Sequence, residues 1–144
     1  MKNTINDFEA CACFNVRKVS RQLSQLYDHA LEPSGLKNTQ FTMLAVASEA
    51  GPISITNLSR LLDLDRTTLT RNLRIMEREG LIAVGSGKDA RSKIVTLSAK
   101  GRSRLSQATP LWRSAQAKIL KRFGRNRWDS LRLELQEMRD AADT

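Results

Sequence analysis

One histidine, two cysteines and one tyrosine are all that 144 residues supply of the side chains on which most enzyme chemistry turns. A single histidine leaves little acid–base chemistry. The sequence also shows no nucleophile–base pair, no Gly-rich phosphate loop and no carboxylate cluster, so a catalytic reading has nothing to stand on. Cys11 and Cys13 stand two residues apart. They make no disulfide framework, and with no second pair they make no zinc site. No metal and no cofactor is expected. His29, alone near a predicted helix end, can interact favourably with the helix dipole there. Aromatic residues are only 5 % of the chain, which argues against a surface that stacks single-stranded bases. No apolar run approaches the roughly 20 residues a membrane span needs. The start, Met1-Lys2-Asn3-Thr4-Ile5-Asn6-Asp7, lacks the apolar core of a signal peptide. The expected location is therefore cytoplasmic, with no membrane partner.

What the chain has in excess is positive charge, +9 formally. Such an excess favours a polyanionic partner, because each phosphate neutralised releases counterions. Its placement sharpens the reading. Residues 54–104 hold 11 Lys/Arg against 5 Asp/Glu, a net of +6. About a third of the chain thus carries two thirds of the excess.

Apolar periodicity divides the chain. Ile5, Phe8, Ala12, Val16, Val19, Leu23, Leu26 and Ala30 recur at steps of three and four, which predicts one helix over about residues 7–31. Glu32-Pro33-Ser34-Gly35 ends it. Asn38 or Thr39 can cap a second helix that holds Phe41, Leu44, Ala45 and Ala47 and stops at Gly51-Pro52. Two short helices follow. Ile55, Leu58, Leu61 and Leu62 mark the first; Asp65 is the expected N-cap of the second, which buries Leu69, Leu73 and Met76 and ends at Gly80. Only Asp63 and Leu64 lie between them, the spacing of a helix-turn-helix. Leu81-Ile82-Ala83-Val84 and Lys93-Ile94-Val95-Thr96-Leu97 read as strands of a hairpin with a basic, Gly-rich loop. Ser98 then caps a helix with Leu105, Trp112, Ala115, Ile119 and Phe123 inward, kinked at Pro110 and broken at Gly124. A last helix carries Trp128, Leu131, Leu135, Met138 and Ala142 at near-heptad spacing.

The expected fold is mainly α with a small β-hairpin wing: a winged helix-turn-helix over residues 36–98, with helical dimerisation segments over 1–35 and 99–144. The reader can fill its own core with Leu58, Leu62, Leu69, Leu73, Ile82 and Val95. The terminal stripes have little else to cover them, so a second copy of the chain is the economical partner.

The functional constellation is the helix after Asp65. With Leu69 and Leu73 inward, its other face presents Arg66, Thr67, Thr70, Arg71 and Arg74, with no acid among them. Arg reads guanine bidentately, Thr methyls touch thymine methyls, and both also bond phosphate. A solvated helix face is the alternative, but it does not account for this composition directly behind a helix-turn-helix signal. Lys88, Arg91 and Lys93 extend the basic surface onto the hairpin, whose tip is of a size to enter a minor groove. Asp89 can pair with Arg91 or with a nearby backbone donor and fix the turn.

The runs Asp65-Arg66-Thr67-Thr68-Leu69-Thr70-Arg71, Glu79-Gly80-Leu81-Ile82, Asp89-Ala90-Arg91-Ser92-Lys93 and Leu97-Ser98-Ala99-Lys100-Gly101 together resemble the MarR family of bacterial regulators, over nearly the whole chain. The resemblance implies a dimeric winged helix-turn-helix that binds double-stranded DNA at a pseudo-palindromic operator. It also implies repression relieved by a small-molecule effector or by cysteine oxidation. The family's wing Asp and Arg fall on Asp89 and Arg91. Cys13 falls where the peroxide-sensing branch keeps its reactive cysteine, and Tyr27 where that branch has a tyrosine, which makes the two a candidate redox sensor. Arg17 and Thr39 depart from that branch's other tyrosines, and buried inert cysteine is the commoner state. Placed on one helix, Cys11 and Cys13 point about 200° apart and cannot bridge. The other reading of the charge is an architectural nucleic-acid-binding protein without sequence preference.

Overall fold

The structure, a computed structural model, describes residues 4–89 and 91–143, with side chains from residue 7 onward. The N-terminal residues Met1, Lys2 and Asn3, the side chain of Ile5 in the expected apolar stripe, Ala90 of the wing motif and Thr144 lie outside the described residues. The elements run α1 (Thr4–Glu9), α2 (Ala12–Leu31), a 3-10 turn (Glu32–Ser34), α3 (Asn38–Ala50), β1 (Ile53–Ser54), α4 (Ile55–Leu62), α5 (Arg66–Arg78), β2 (Ile82–Ser86), β3 (Lys93–Leu97), α6 (Ala99–Phe123) and α7 (Arg125–Ala142).

The single helix expected over residues 7–31 is two helices. Cys11 adopts extended backbone, φ −69° and ψ 119°, as the N-cap of α2. Neither Pro nor Gly breaks the chain there. Instead the Asn15 amide donates to two carbonyls, Glu9 at 2.8 Å and Cys11 at 2.9 Å; the first is a group a continuous helix would have bonded internally, and the second also accepts Asn15 N–H. The Phe8 and Phe14 rings meet at 6.3 Å between centroids across the break. Cys11 is therefore off the helix that carries Cys13, and the 200° relation expected between them does not hold.

At the next junction the expected stop is present: Pro33 sits in the 3-10 turn and Gly35 takes φ +74°. Neither Asn38 nor Thr39 caps α3. The N-cap position is Lys37, and the orphan N–H groups find side chains instead. Asn38 N–H donates to the Asp28 carboxylate of α2 at 2.7 Å, and Lys37 N–H to Gln40 Oε1 at 3.0 Å. α3 buries Phe41, Met43, Leu44 and Ala47, and Phe41 stacks on Trp112 of α6 at 5.7 Å.

The sheet has the order β1-β3-β2, antiparallel throughout. The hairpin was expected; β1 was not. Ile53 and Ser54 follow Pro52 as a two-residue strand against Val95 and Ile94, too short to leave a period-2 signal. One apolar core holds Leu31, Leu44, Leu58, Leu69, Leu73, Met76, Leu81, Ile82, Val95 and Ala108. Leu62 is only partly buried against it. Leu61, one of the residues that mark α4 in the sequence, is 61 % exposed. α6 begins on the Ser98 cap, whose hydroxyl accepts from Gly101 N–H at 2.9 Å, and continues as one helix past Pro110. α7 follows Gly124, φ +108°, and buries none of its residues.

Candidate nucleic-acid interface

The helix-turn-helix is built by local capping. Ser54 caps α4 by accepting from Asn57 N–H at 3.1 Å. Asp63 closes α4 in left-handed conformation, φ 52°, and Ser59 bonds Leu64 through both side chain and backbone. Asp65 then opens α5. One carboxylate oxygen accepts from Thr68 N–H at 2.9 Å and the other from the Thr68 hydroxyl at 2.6 Å. Those two bonds, the hydroxyl first, hold the Asp65 carboxyl below the usual range. Fixed this way, the carboxylate closes the helix start.

Leu69, Leu73 and Met76 anchor the inner face of α5, each no more than 2 % exposed. Arg66, Thr67, Thr70, Arg71 and Arg74 line one shallow concave surface on its outer side. Among the described residues, no carboxylate forms a salt bridge with any of the three arginines. Arg66 makes a long contact, 3.4 Å, to the Thr56 hydroxyl of α4. Thr56 escaped the sequence reading because nothing in the spacing of α4 marks it.

The wing is the β2–β3 hairpin. Its end is closed by Gly87 N–H to Ser92 O at 2.8 Å and Ser92 N–H to Asp89 O at 2.9 Å. The Asp89 carboxylate accepts from Arg91 N–H at 3.3 Å, so of the two expected pairings it makes the backbone one. A methyl added at Gly87 would stand 2.8 Å from Ser92 Cβ. Lys88, Asp89, Arg91 and Lys93 are all exposed. Glu77 joins wing to helix: its carboxylate accepts from Val84 N–H at 3.1 Å. No sequence signal singles out Glu77, because its partner is a backbone group on another element.

Within one chain the candidate redox pair stays apart, so any contact between Cys13 and Tyr27 would have to be made across chains. Cys13 is exposed and Tyr27 lies 14 residues further along the same helix, about 21 Å at 1.5 Å per residue. The Tyr27 hydroxyl donates to Gln116 Oε1 of α6, and burial raises its pKa. His29 sits exposed, 3.4 Å from Glu32. Among the described residues no group of His, Cys, Asp and Glu is placed to hold a metal ion, and no helix is long and apolar enough to cross a membrane.

A family model described as MarR family matches residues 36–93. The M. tuberculosis transcriptional regulator MosR in complex with DNA is 45 % identical, with a TM-score of 0.81, covering 93 % of this chain and 99 % of that one. A second MosR structure is 43 % identical with a TM-score of 0.82, covering 94 % and 98 %. Among curated proteins, the transcriptional activatory protein BadR of Rhodopseudomonas palustris is 32 % identical over 93 residues, 62 % of this chain and 53 % of its own length. The HTH-type regulator YwoH of Bacillus subtilis is 27 % identical over 82 residues, 57 % of this chain and 60 % of its own length. The chain thus spans somewhat over half the length of these two curated relatives and nearly all of MosR. Cap, turn, reader helix and wing agree with that likeness, and the chain belongs to the MarR family.

Proposed function

We propose that this protein is a transcription regulator that binds a specific double-stranded DNA site as a homodimer. One observation carries the reading: five side chains able to contact bases and phosphates, Arg66, Thr67, Thr70, Arg71 and Arg74, share the outer face of a helix set behind a tight turn. MosR, nearly half identical over the same span, has been solved on DNA. In this reading residues 36–98 are the reader, and residues 1–35 and 99–144 form the dimer. The exposed apolar side chains Phe8, Val16, Val19, Leu131, Leu133 and Met138 then gain cover from the second copy. α5 enters the major groove, while Lys88, Arg91 and Lys93 lie over flanking minor grooves, with Asp89 fixing the turn that carries them. The regulator acts as a repressor released by a small effector or by oxidation at Cys13, as the family resemblance implies.

Titration against specific and random duplex at several salt concentrations tests the reading. Arg71→Ala should weaken specific binding by about 1–3 kcal/mol per reader with the fold intact. Arg91→Ala should weaken it too, with less dependence on major-groove sequence. Equal affinity of the parent for both duplexes would favour the architectural reading. A promoter reporter that loses expression when the gene is deleted would show an activator, like the transcriptional activatory protein BadR.

A further inference from the structure

α7 is tied down at both ends but only partly covered by its own chain, Trp128 and Leu135 being half-buried. It leaves α6 at the Gly124 corner and buries no residue. Eighteen residues carry it about 27 Å, and its last turns arrive at the helix-turn-helix. There Arg139 Nη2 stands 2.5 Å from Asp63 Oδ2, a pairing across 76 positions of sequence. Among the described residues this is the only salt bridge between distant elements; the other joins His29 to Glu32 locally.

Both partners are braced for it. Arg139 also contacts Gln136 Oε1, three residues back on α7, at 3.4 Å. Asp63 is the one non-glycine with positive φ among the described residues, a conformation Asp and Asn adopt more readily than other side chains. Its backbone N–H closes α4 onto Arg60 O. The residue that ends α4 in the turn before α5 is thus the residue that α7 holds.

We propose that Asp63 and Arg139 are positioning residues: their ion pair is a strut that fixes the reader's angle to the carboxy-terminal helix, and through it the separation of the two recognition helices in the dimer. The inference rests on the dimeric DNA-binding reading for its consequence, though not for its geometry. Both side chains are largely exposed, 61 % and 73 %, so the pair adds little to global stability. What it contributes is restraint, and breaking it should loosen the orientation while leaving the fold.

Two readouts test this. Spin labels at Arg78→Cys on α5 and Asp129→Cys on α7, in a Cys11→Ser, Cys13→Ser background, report the distance between reader and α7. Labelled chain is diluted into unlabelled chain so that only one protomer is read. Arg139→Gln and Asp63→Asn should each broaden or shift that distribution with the melting temperature unchanged, and Arg139→Lys should restore it. The second readout is operator spacing. Both variants should lose about 2–5-fold on the correctly spaced site and be penalised less than the parent when the half-sites are moved apart. An unchanged distance distribution in both variants overturns the strut, as does a broadening that Arg139→Lys fails to reverse. Because the distances are read without DNA, a parent that finds no specific site would remove the DNA reading alone.

Discussion

Gly101→Ala sets helix propensity against close packing, and the structure decides which wins. Gly101 is the third residue of α6, buried against the entry to the wing. A Cβ built there would stand 2.0 Å from the Leu81 carbonyl oxygen and 3.0 Å from its carbon. The obstacle is backbone, immediately before β2, on a residue only 3 % exposed. The same carbonyl accepts Ser98 N–H at 3.1 Å. Alanine in place of glycine should favour the helix by up to about 1 kcal/mol. Against that, overpacking costs about 1–3 kcal/mol, and losing the Ser98 bond as Leu81 moves costs about 1 kcal/mol more. The net is a destabilisation of about 1–3 kcal/mol. Gly85→Ala is the control, since its added methyl meets nothing within 4 Å. The assay is urea unfolding followed by circular dichroism at one fixed protein concentration, because a dimer's midpoint depends on it. A Gly101→Ala chain as stable as the parent would refute the close approach of α6 to the wing base.

Further outcomes follow from the cap, the cysteine and the two-fold. Asp65→Ala should fray the start of α5, lowering both stability and specific DNA binding. The folded carboxyl titrates below its unfolded value of about 3.9, so its contribution is complete above that pH and is lost as pH falls through the depressed value. The stability difference between parent and Asp65→Ala should therefore close in acid, and a gap independent of pH would contradict the charged cap. Organic peroxide should release the protein from DNA, and Cys13→Ser should abolish the release; unchanged binding after the thiols are shown to be modified would count against sensing. Half-sites about one turn apart, roughly 10 bp, should bind best. A 5-bp insertion in a gel-shift series should drop affinity toward the non-specific level, and no drop would mean the readers are not rigidly held.

Most of the candidate interface is legible from local chemistry. Asp65 three residues before Thr68, Leu69 and Leu73 one turn apart, and Ser98 three before Gly101 are short-range patterns. Their physics, a side chain reaching the next turn's N–H or a stripe finding one core, is complete within a few residues. The same locality makes the hairpin legible, because turn and strand residues are neighbours in sequence. The family likeness adds up such local runs.

Other features left no such trace. The break at Cys11 is local, but it depends on the Asn15 amide and on two rings meeting across it, groups that carry no stop signal of the Pro or Gly kind. The start of α3 is satisfied by Asp28 from another helix, so Asn38 and Thr39, good caps by type, go unused there. β1 exists because β3 offers it an edge. Tyr27 on Gln116 and Arg139 on Asp63 are long-range pairings between residues that any solvated helix could carry, and Glu77 reaches a backbone N–H of another element, Val84, seven positions on. Gly101 has negative φ and sits inside a helix, so only the approach of Leu81 shows why a side chain would not fit. The sequence by itself therefore determined which segments are helix and hairpin and which face of α5 carries the arginines, because those are settled by neighbours within a turn. Only the three-dimensional structure showed where the first helix breaks, through groups a few residues apart with no Pro or Gly signal; and only the tertiary structure decided what closes the start of α3 and what ties the last helix to the reader, because those groups meet only once the chain has folded.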